Sequence, residues 1–191
     1  MAKVIIDAGH SGQIEPGAVG PAGTKEADIT LRVAVMLAEE VAALGIKALM
    51  TRTSDIDNDA LTWRANLANE NNADAFISIH CNSATNPMAE GYEIWTSPGQ
   101  TEGDHLADLV FEEISVAFPD LYPRTDMSDG DVDKEACFTV ITATNCPAIL
   151  VELEFINNPD REQLLLNPGF QRMYAKAMAK GINRFLNDRE D

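Results

Sequence analysis

Ala75-Phe76-Ile77-Ser78-Ile79-His80 is the stretch whose reading decides the fold. It is short and rich in isoleucine, and it reads as a strong strand. Working outward, the chain alternates such runs with longer helical patterns. Upstream, Leu61 to Asn71 and Lys25 to Leu44 carry helical spacing, the latter closed by Gly45. Its apolar positions Leu31, Ala34, Leu37, Ala38 and Val41 fall on one face. Val4 to Asp7 and Lys47 to Thr51 read as strands. Downstream, Tyr92 to Thr96 reads as a strand and Thr101 to Ala117 as a helix. Phe138 to Ile141 reads as a short strand, and Ala148 to Glu152 as an apolar strand ending in a carboxylate. A last helix starts after Asn167, with Pro168 in its first turn. This alternation predicts one three-layer α-β-α domain of the α/β class, with a central, mostly parallel twisted sheet. The domain is expected to fill residues 1–191, with a core over about 3–187. Pro119 to Ala136, rich in Asp and Gly, reads as a surface loop over one edge.

Bulk composition narrows the function. The 191 residues carry a net charge of −17, with 45% hydrophobic and 24% charged residues. Such a surface repels phosphate backbones, so nucleic acid is excluded as a general partner. The acidity itself serves solubility and identifies no substrate. Cys81, Cys137 and Cys146 form no C-x-x-C pair, and buried reduced thiols are expected. No apolar run approaches the roughly 20 residues that span a bilayer, so no integral membrane association is expected. Met1-Ala2-Lys3 leads straight into Val4, which leaves no room for a signal peptide.

Open α/β sheets bind ligands beyond the carboxyl ends of their strands. His10, His80 and Glu152 each stand at or just after such an end. His10 lies in Asp7-Ala8-Gly9-His10-Ser11-Gly12, where flanking glycines allow a tight turn. His80 shares its strand face with Ser78 and Phe76. Glu152 closes a buried strand, where an unpaired carboxylate is costly. Glu154 follows on the same face, and two carboxylates can divide acid and base roles. Glu26 falls at a helix start, with Thr24 as a candidate cap. The helix dipole alone favours an acid there, so local sequence does not single it out.

His105, on a helix with Asp108 and Glu112, reads as a surface residue. That leaves two histidines for a metal site, and two histidines plus one carboxylate is a known catalytic zinc set. The run Asp129-Gly130-Asp131-Val132-Asp133-Lys134-Glu135 fails as an EF-hand: Lys134 stands where Gly is needed and Val140 where Glu is needed. It offers weak cation attraction only. Neither a G-x-S-x-G elbow nor a P-loop is present.

From Val4 to Phe185 these residues resemble the zinc N-acetylmuramoyl-L-alanine amidases of the Amidase_3 type. Ile5-Ile6-Asp7-Ala8-Gly9-His10-Ser11-Gly12, then Pro16-Gly17-Ala18-Val19-Gly20, resembles the first metal motif. Glu26, ahead of Asp28-Ile29-Thr30-Leu31, falls where that family has a glutamate ligand. Arg64-Ala65-Asn66, followed by Ala73 to Asn82, resembles the second histidine motif. Gly91-Tyr92-Glu93-Ile94-Trp95 resembles the strand that follows. Pro147-Ala148-Ile149-Leu150-Val151-Glu152, with Phe155 and Asn158, resembles the segment bearing the catalytic glutamate. Three features depart from the pattern: Glu154 replaces a usual Gly, Cys81 replaces a small residue, and 119–136 diverges. Arg124 is a match for a family arginine.

The resemblance implies one zinc ion (Zn2+) on His10, Glu26 and His80, with Glu152 moving protons. It implies peptidoglycan as the substrate, cut at the amide between the lactyl group of N-acetylmuramic acid and L-alanine. The site of action is then the bacterial cell wall. A phage lysin made in the cytoplasm fits a chain without a signal, and a bacterial envelope amidase is the competing origin. Two other functions fit the same residues: a zinc peptidase acting on wall peptides, and a non-catalytic wall-binding module. The sequence leaves oligomeric state open.

Overall fold

The structure is a computed structural model that describes residues 1–12, 14–55, 60–128 and 130–189. Asp129, first residue of the acidic run, lies outside the described residues. The order is β1 (Lys3–Ala8), α1 (Glu26–Ala43), β2 (Lys47–Met50), α2 (Leu61–Glu70), β3 (Ala75–Asn82) and β4 (Glu93–Thr96). Then come α3 (Glu102–Ala117), β5 (Lys134–Glu135), α4 (Thr139–Thr142), β6 (Ala148–Phe155), α5 (Pro159–Leu166) and α6 (Pro168–Asp188).

The sheet runs β2-β1-β3-β6-β4-β5. The first four strands are mutually parallel; β4 is antiparallel to β6, and β5 lies parallel to β4. The sheet is therefore mixed but mostly parallel. Its central strands are covered on both faces, which explains their near-continuous apolar sequence. On one face Ile6, Ile77, Ile79, Ile149 and Val151 pack against α1, α3 and α6. On the other, Ile5, Phe76 and Leu150 meet Ala68 of α2 and Val140 and Ile141 of α4. Each such side chain, fully buried, contributes about 1.5–3 kcal/mol.

Several local readings change. Phe138 to Ile141 is not a strand: Thr139–Thr142 forms the short helix α4. Thr139-Val140-Ile141 has strand-like propensity, but burial of Val140 and Ile141 against the sheet decides the conformation. β3 runs past His80 to Asn82, with a register shift between them, and β6 runs past Glu152 to Phe155. Thr24 does not cap α1; the N-cap is Lys25, with no side-chain bond. The free amides of Glu26 and Ala27 instead reach the carbonyls of Ala18 and Pro16 (2.9 and 3.1 Å). The loop that precedes α1 is thus folded back onto its start. The 119–136 segment ends in β5, at the sheet edge. α5 carries the same signal as α6, an Asn cap followed by proline: Asn158-Pro159 beside Asn167-Pro168.

Cys81 is buried as expected, but Cys137 is exposed and Cys146 half-buried; all are free. Among the described residues no helix is long and apolar enough to cross a membrane.

Candidate metal centre and active site

Beyond Ala8 the chain turns sharply. Gly9 donates to the carbonyl of Ile79 (3.1 Å), and His10 takes a left-handed backbone, φ 66°. The strain falls on the histidine itself rather than on Gly9, at a cost of about 1–2 kcal/mol. Arg64, fully buried, offsets it: its guanidinium donates to the carbonyls of Ala8 and His10 (both 2.8 Å) and to Asp7 (2.7 Å). Asp7 also accepts from Thr51 and Ser78. Burial pushes the Asp7 carboxyl up, but Arg64, Ser78 and Thr51 outweigh that and hold it below the usual range.

The amides of Ser11 and Gly12 both donate to the carbonyl of Glu15 (3.0 and 3.3 Å). This hook returns Glu15 to His10, where its carboxylate meets Nδ1. With Nδ1 donating there, a neutral His10 has its lone pair on Nε2, the nitrogen 3.0 Å from Glu26 Oε2.

Glu26 sits between the histidines. Its Oε1 lies 2.9 Å from His80 Nδ1 and accepts from the Cys81 amide at 2.9 Å. Its Oε2 accepts from Ala18 at 2.8 Å. The donor atoms of His10, Glu26 and His80 all lie within 4.8 Å of one another. The sequence expectation for these residues therefore meets in one place. The helix-start glutamate, indistinct in sequence, is buried between two strand-rim histidines.

Two glycines leave room for the cluster. A Cβ on Gly9 would stand 2.4 Å from the His80 ring, and one on Gly17 2.5 Å from both Glu26 Oε2 and the His10 ring. Gly17 also holds φ 71°, which side chains resist. The field is cation-seeking. Burial disfavours a charged His10, yet the carboxylates of Glu26 and Glu15 raise it to about 9. Burial likewise opposes a charged Glu26, and both histidines hold it well below its ordinary value.

Glu152 is the register partner of His80 on β6 and of Glu93 on β4. The three side chains therefore stand in a row on one sheet face. Its Oε2 is buried without a hydrogen-bond partner among the described residues. Burial pushes Glu152 up to about 7; His80 opposes this, while Glu26 and Glu93 add to it. Glu93 differs in having partners, Arg124 Nε and Lys134 Nζ (3.2 Å). Arg124 also lies 5.0 Å over the Phe155 ring.

Glu154 is fully buried. Its Oε2 accepts from the amides of Gly91 (2.8 Å) and Phe155 (2.9 Å), and it stands outside the metal-capable group. His105 is half-exposed at the surface and pairs with Asp188 at 3.3 Å. A cavity of about 490 Å³ opens beside His10, Glu15, Leu61, Arg64 and His80. Glu15 and Glu93 escape a sequence reading. Glu15 alone carried a signal, five residues from His10 in the same glycine-flanked turn.

A layered α/β domain with a His–Glu–His group at the carboxyl rim of its sheet defines a class: domains able to hold one metal ion beside a half-buried acid. The family model of N-acetylmuramoyl-L-alanine amidase, Amidase_3, matches residues 4–184, and the chain belongs to that family. The N-acetylmuramoyl-L-alanine amidase AmiC of Neisseria meningitidis is 29% identical over 96% of this chain. The chain spans about half of that relative, 52% of its length. The endolysin of Bacillus phage SPP1 is 31% identical over 98% of this chain and 67% of its own. Among solved structures, the amidase AmiC2 of Nostoc punctiforme matches with a TM-score of 0.88 and 30% identity, covering 97% of both chains.

Proposed function

We propose that this chain is a zinc-dependent N-acetylmuramoyl-L-alanine amidase. It would hydrolyse the amide between the lactyl group of N-acetylmuramic acid and L-alanine in peptidoglycan. One observation carries the reading: donor atoms of His10, Glu26 and His80 converge within 4.8 Å, with Glu152 beside them in register, in a chain of the amidase family.

The donor set fits zinc. Tetrahedral zinc, about 2.0–2.1 Å from each donor, places neighbouring donors about 3.3 Å apart. His10 Nε2 lies 3.0 Å from Glu26 Oε2 and His80 Nδ1 lies 2.9 Å from Glu26 Oε1, so each oxygen of the carboxylate stands close to that spacing from one histidine. Nitrogen and carboxylate ligands suit zinc over calcium or magnesium, which take oxygen alone. When bound, zinc supplies Lewis acidity, lowering the pKa of water and polarising a carbonyl.

The protein's own groups do the rest. Glu152, poised near neutrality, takes a proton from the attacking water. The carbon–oxygen bond forms, the carbon–nitrogen bond breaks, and Glu152 returns the proton to the departing alanine amine. Its unpartnered Oε2 leaves an acceptor free for that exchange. Glu15 fixes the His10 ring, and Glu93 keeps negative charge beside Glu152. The site of action is the bacterial wall, in line with the amidase and endolysin names of its relatives.

Digestion of purified peptidoglycan tests this. The expected products are new L-alanine amino termini and muramic acid with a free lactyl carboxylate. Cleavage within the stem peptide, with that link intact, would make the chain a peptidase instead. Binding to the wall without turnover would make it a binding module.

A further inference from the structure

Arg52 follows β2 and is almost fully buried, 2% exposed. A buried guanidinium is costly unless paired, yet among the described residues no acid pairs closely with this one: Asp55 is 4.0 Å from Nη1. Its bonds go to main-chain carbonyls instead. Nε donates to Ala8 (2.9 Å), and Nη2 donates to both Gly9 (2.9 Å) and Ala27 (2.7 Å). Gly9 precedes His10, and Ala27 follows Glu26. One nitrogen thus ties the residue beside the first histidine to the residue beside the glutamate, across a separation of 18 positions. Thr30 completes the junction: its hydroxyl donates to Gly9 (2.8 Å) and accepts from Arg52 Nη2 (3.1 Å).

Arg64 makes a useful contrast. It braces the same strand end, but Asp7 neutralises it, and all its partners lie on one segment, Asp7 to His10. Of the two arginines, Arg52 is the one that joins the segments carrying His10 and Glu26. We propose that Arg52 is a positioning residue of the metal centre, setting the separation of His10 and Glu26 through the carbonyls of Gly9 and Ala27. The planar fork suits this, because it reaches two carbonyls at a fixed angle. A lysine at this position carries the charge but not the fork. This inference rests on the His10–Glu26–His80 reading.

Zinc affinity of the full chain, by chelator competition, is compared for wild type, Arg52→Lys and Thr30→Val. The electronic spectrum of the cobalt-substituted proteins reports ligand geometry, and melting of the metal-free proteins reports fold. Arg52→Lys is expected to weaken zinc binding about 10–100-fold, the usual range for outer-shell supports, and to shift the cobalt spectrum. Thr30→Val, which leaves Arg52 in place, is expected to weaken zinc in the same direction and carries the test if Arg52→Lys does not fold. Zinc affinity and cobalt spectra equal to wild type, whatever the melting temperature does, would overturn the inference and make Arg52 purely structural. A wild-type chain that binds no zinc would sink the underlying metal reading instead.

Discussion

His80 and Glu152 are register partners on the adjacent parallel strands β3 and β6, so a metal-capable histidine and a half-buried acid leave the sheet side by side. Burial pushes Glu152 up to about 7, and its Oε2 has no hydrogen-bond partner among the described residues. Glu152→Gln keeps the shape but removes the base. The variant should retain zinc at wild-type stoichiometry and lose about 10²–10⁴-fold in activity, measured on peptidoglycan fragments. Full activity would remove Glu152 from the mechanism.

Glu15 bonds His10 Nδ1 and so fixes which nitrogen faces Glu26. Glu15→Gln offers either a donor or an acceptor at that point, and Glu15→Ala offers neither. Zinc affinity should fall about 10–100-fold in the alanine variant and less in the glutamine one. Equal affinity for all three would show that Glu15 is a bystander.

Gly17→Ala should be disproportionately harmful. The added methyl would meet Glu26 Oε2 and the His10 ring at 2.5 Å, on a backbone at φ 71°. Zinc loss together with a drop in melting temperature is the expected outcome. Gly23→Ala is the control: it shares a positive φ, 88°, but a Cβ there meets nothing within 4 Å, so zinc should stay bound.

Asp7 gives the fold its acid sensitivity. Its carboxyl is held below the usual range in the folded chain by Arg64, Ser78 and Thr51 against the opposing effect of burial. The stability it contributes is therefore fully present above its unfolded value, about 3.9, and is lost as pH falls through the folded one. Asp7→Asn leaves the Arg64 charge unpaired and should cost about 3–5 kcal/mol at neutral pH. The gap between variant and wild type should close as pH drops below about 4, in denaturant melts run across pH. A pH-independent gap would assign the cost to packing.

Much of this was legible in the sequence because buried parallel strands are apolar throughout. A polar residue at the end of such a run, His80 or Glu152, stands out. Glu26 did not stand out, because Asp28 shares its helix start and the dipole favours both. Only the fold shows which acid turns inward toward His80. Arg52 and Glu93 stayed hidden for the same reason: their partners lie far along the chain and look ordinary on their own. The Phe138 to Ile141 region misled because its propensity is that of a strand, while its burial against α2 and the sheet is that of a helix. The strand reads as ending at Glu152 because nothing local shows that β6 continues to Phe155.

The central claim is that His10, Glu26 and His80 together hold one zinc ion. Anomalous diffraction at the zinc edge, from crystals of the zinc-loaded chain, tests it most directly. The account predicts a single strong peak about 2.0–2.2 Å from His10 Nε2, a Glu26 oxygen and His80 Nδ1. A zinc-loaded crystal with no peak among these residues, or with its peak on other ligands, would contradict it.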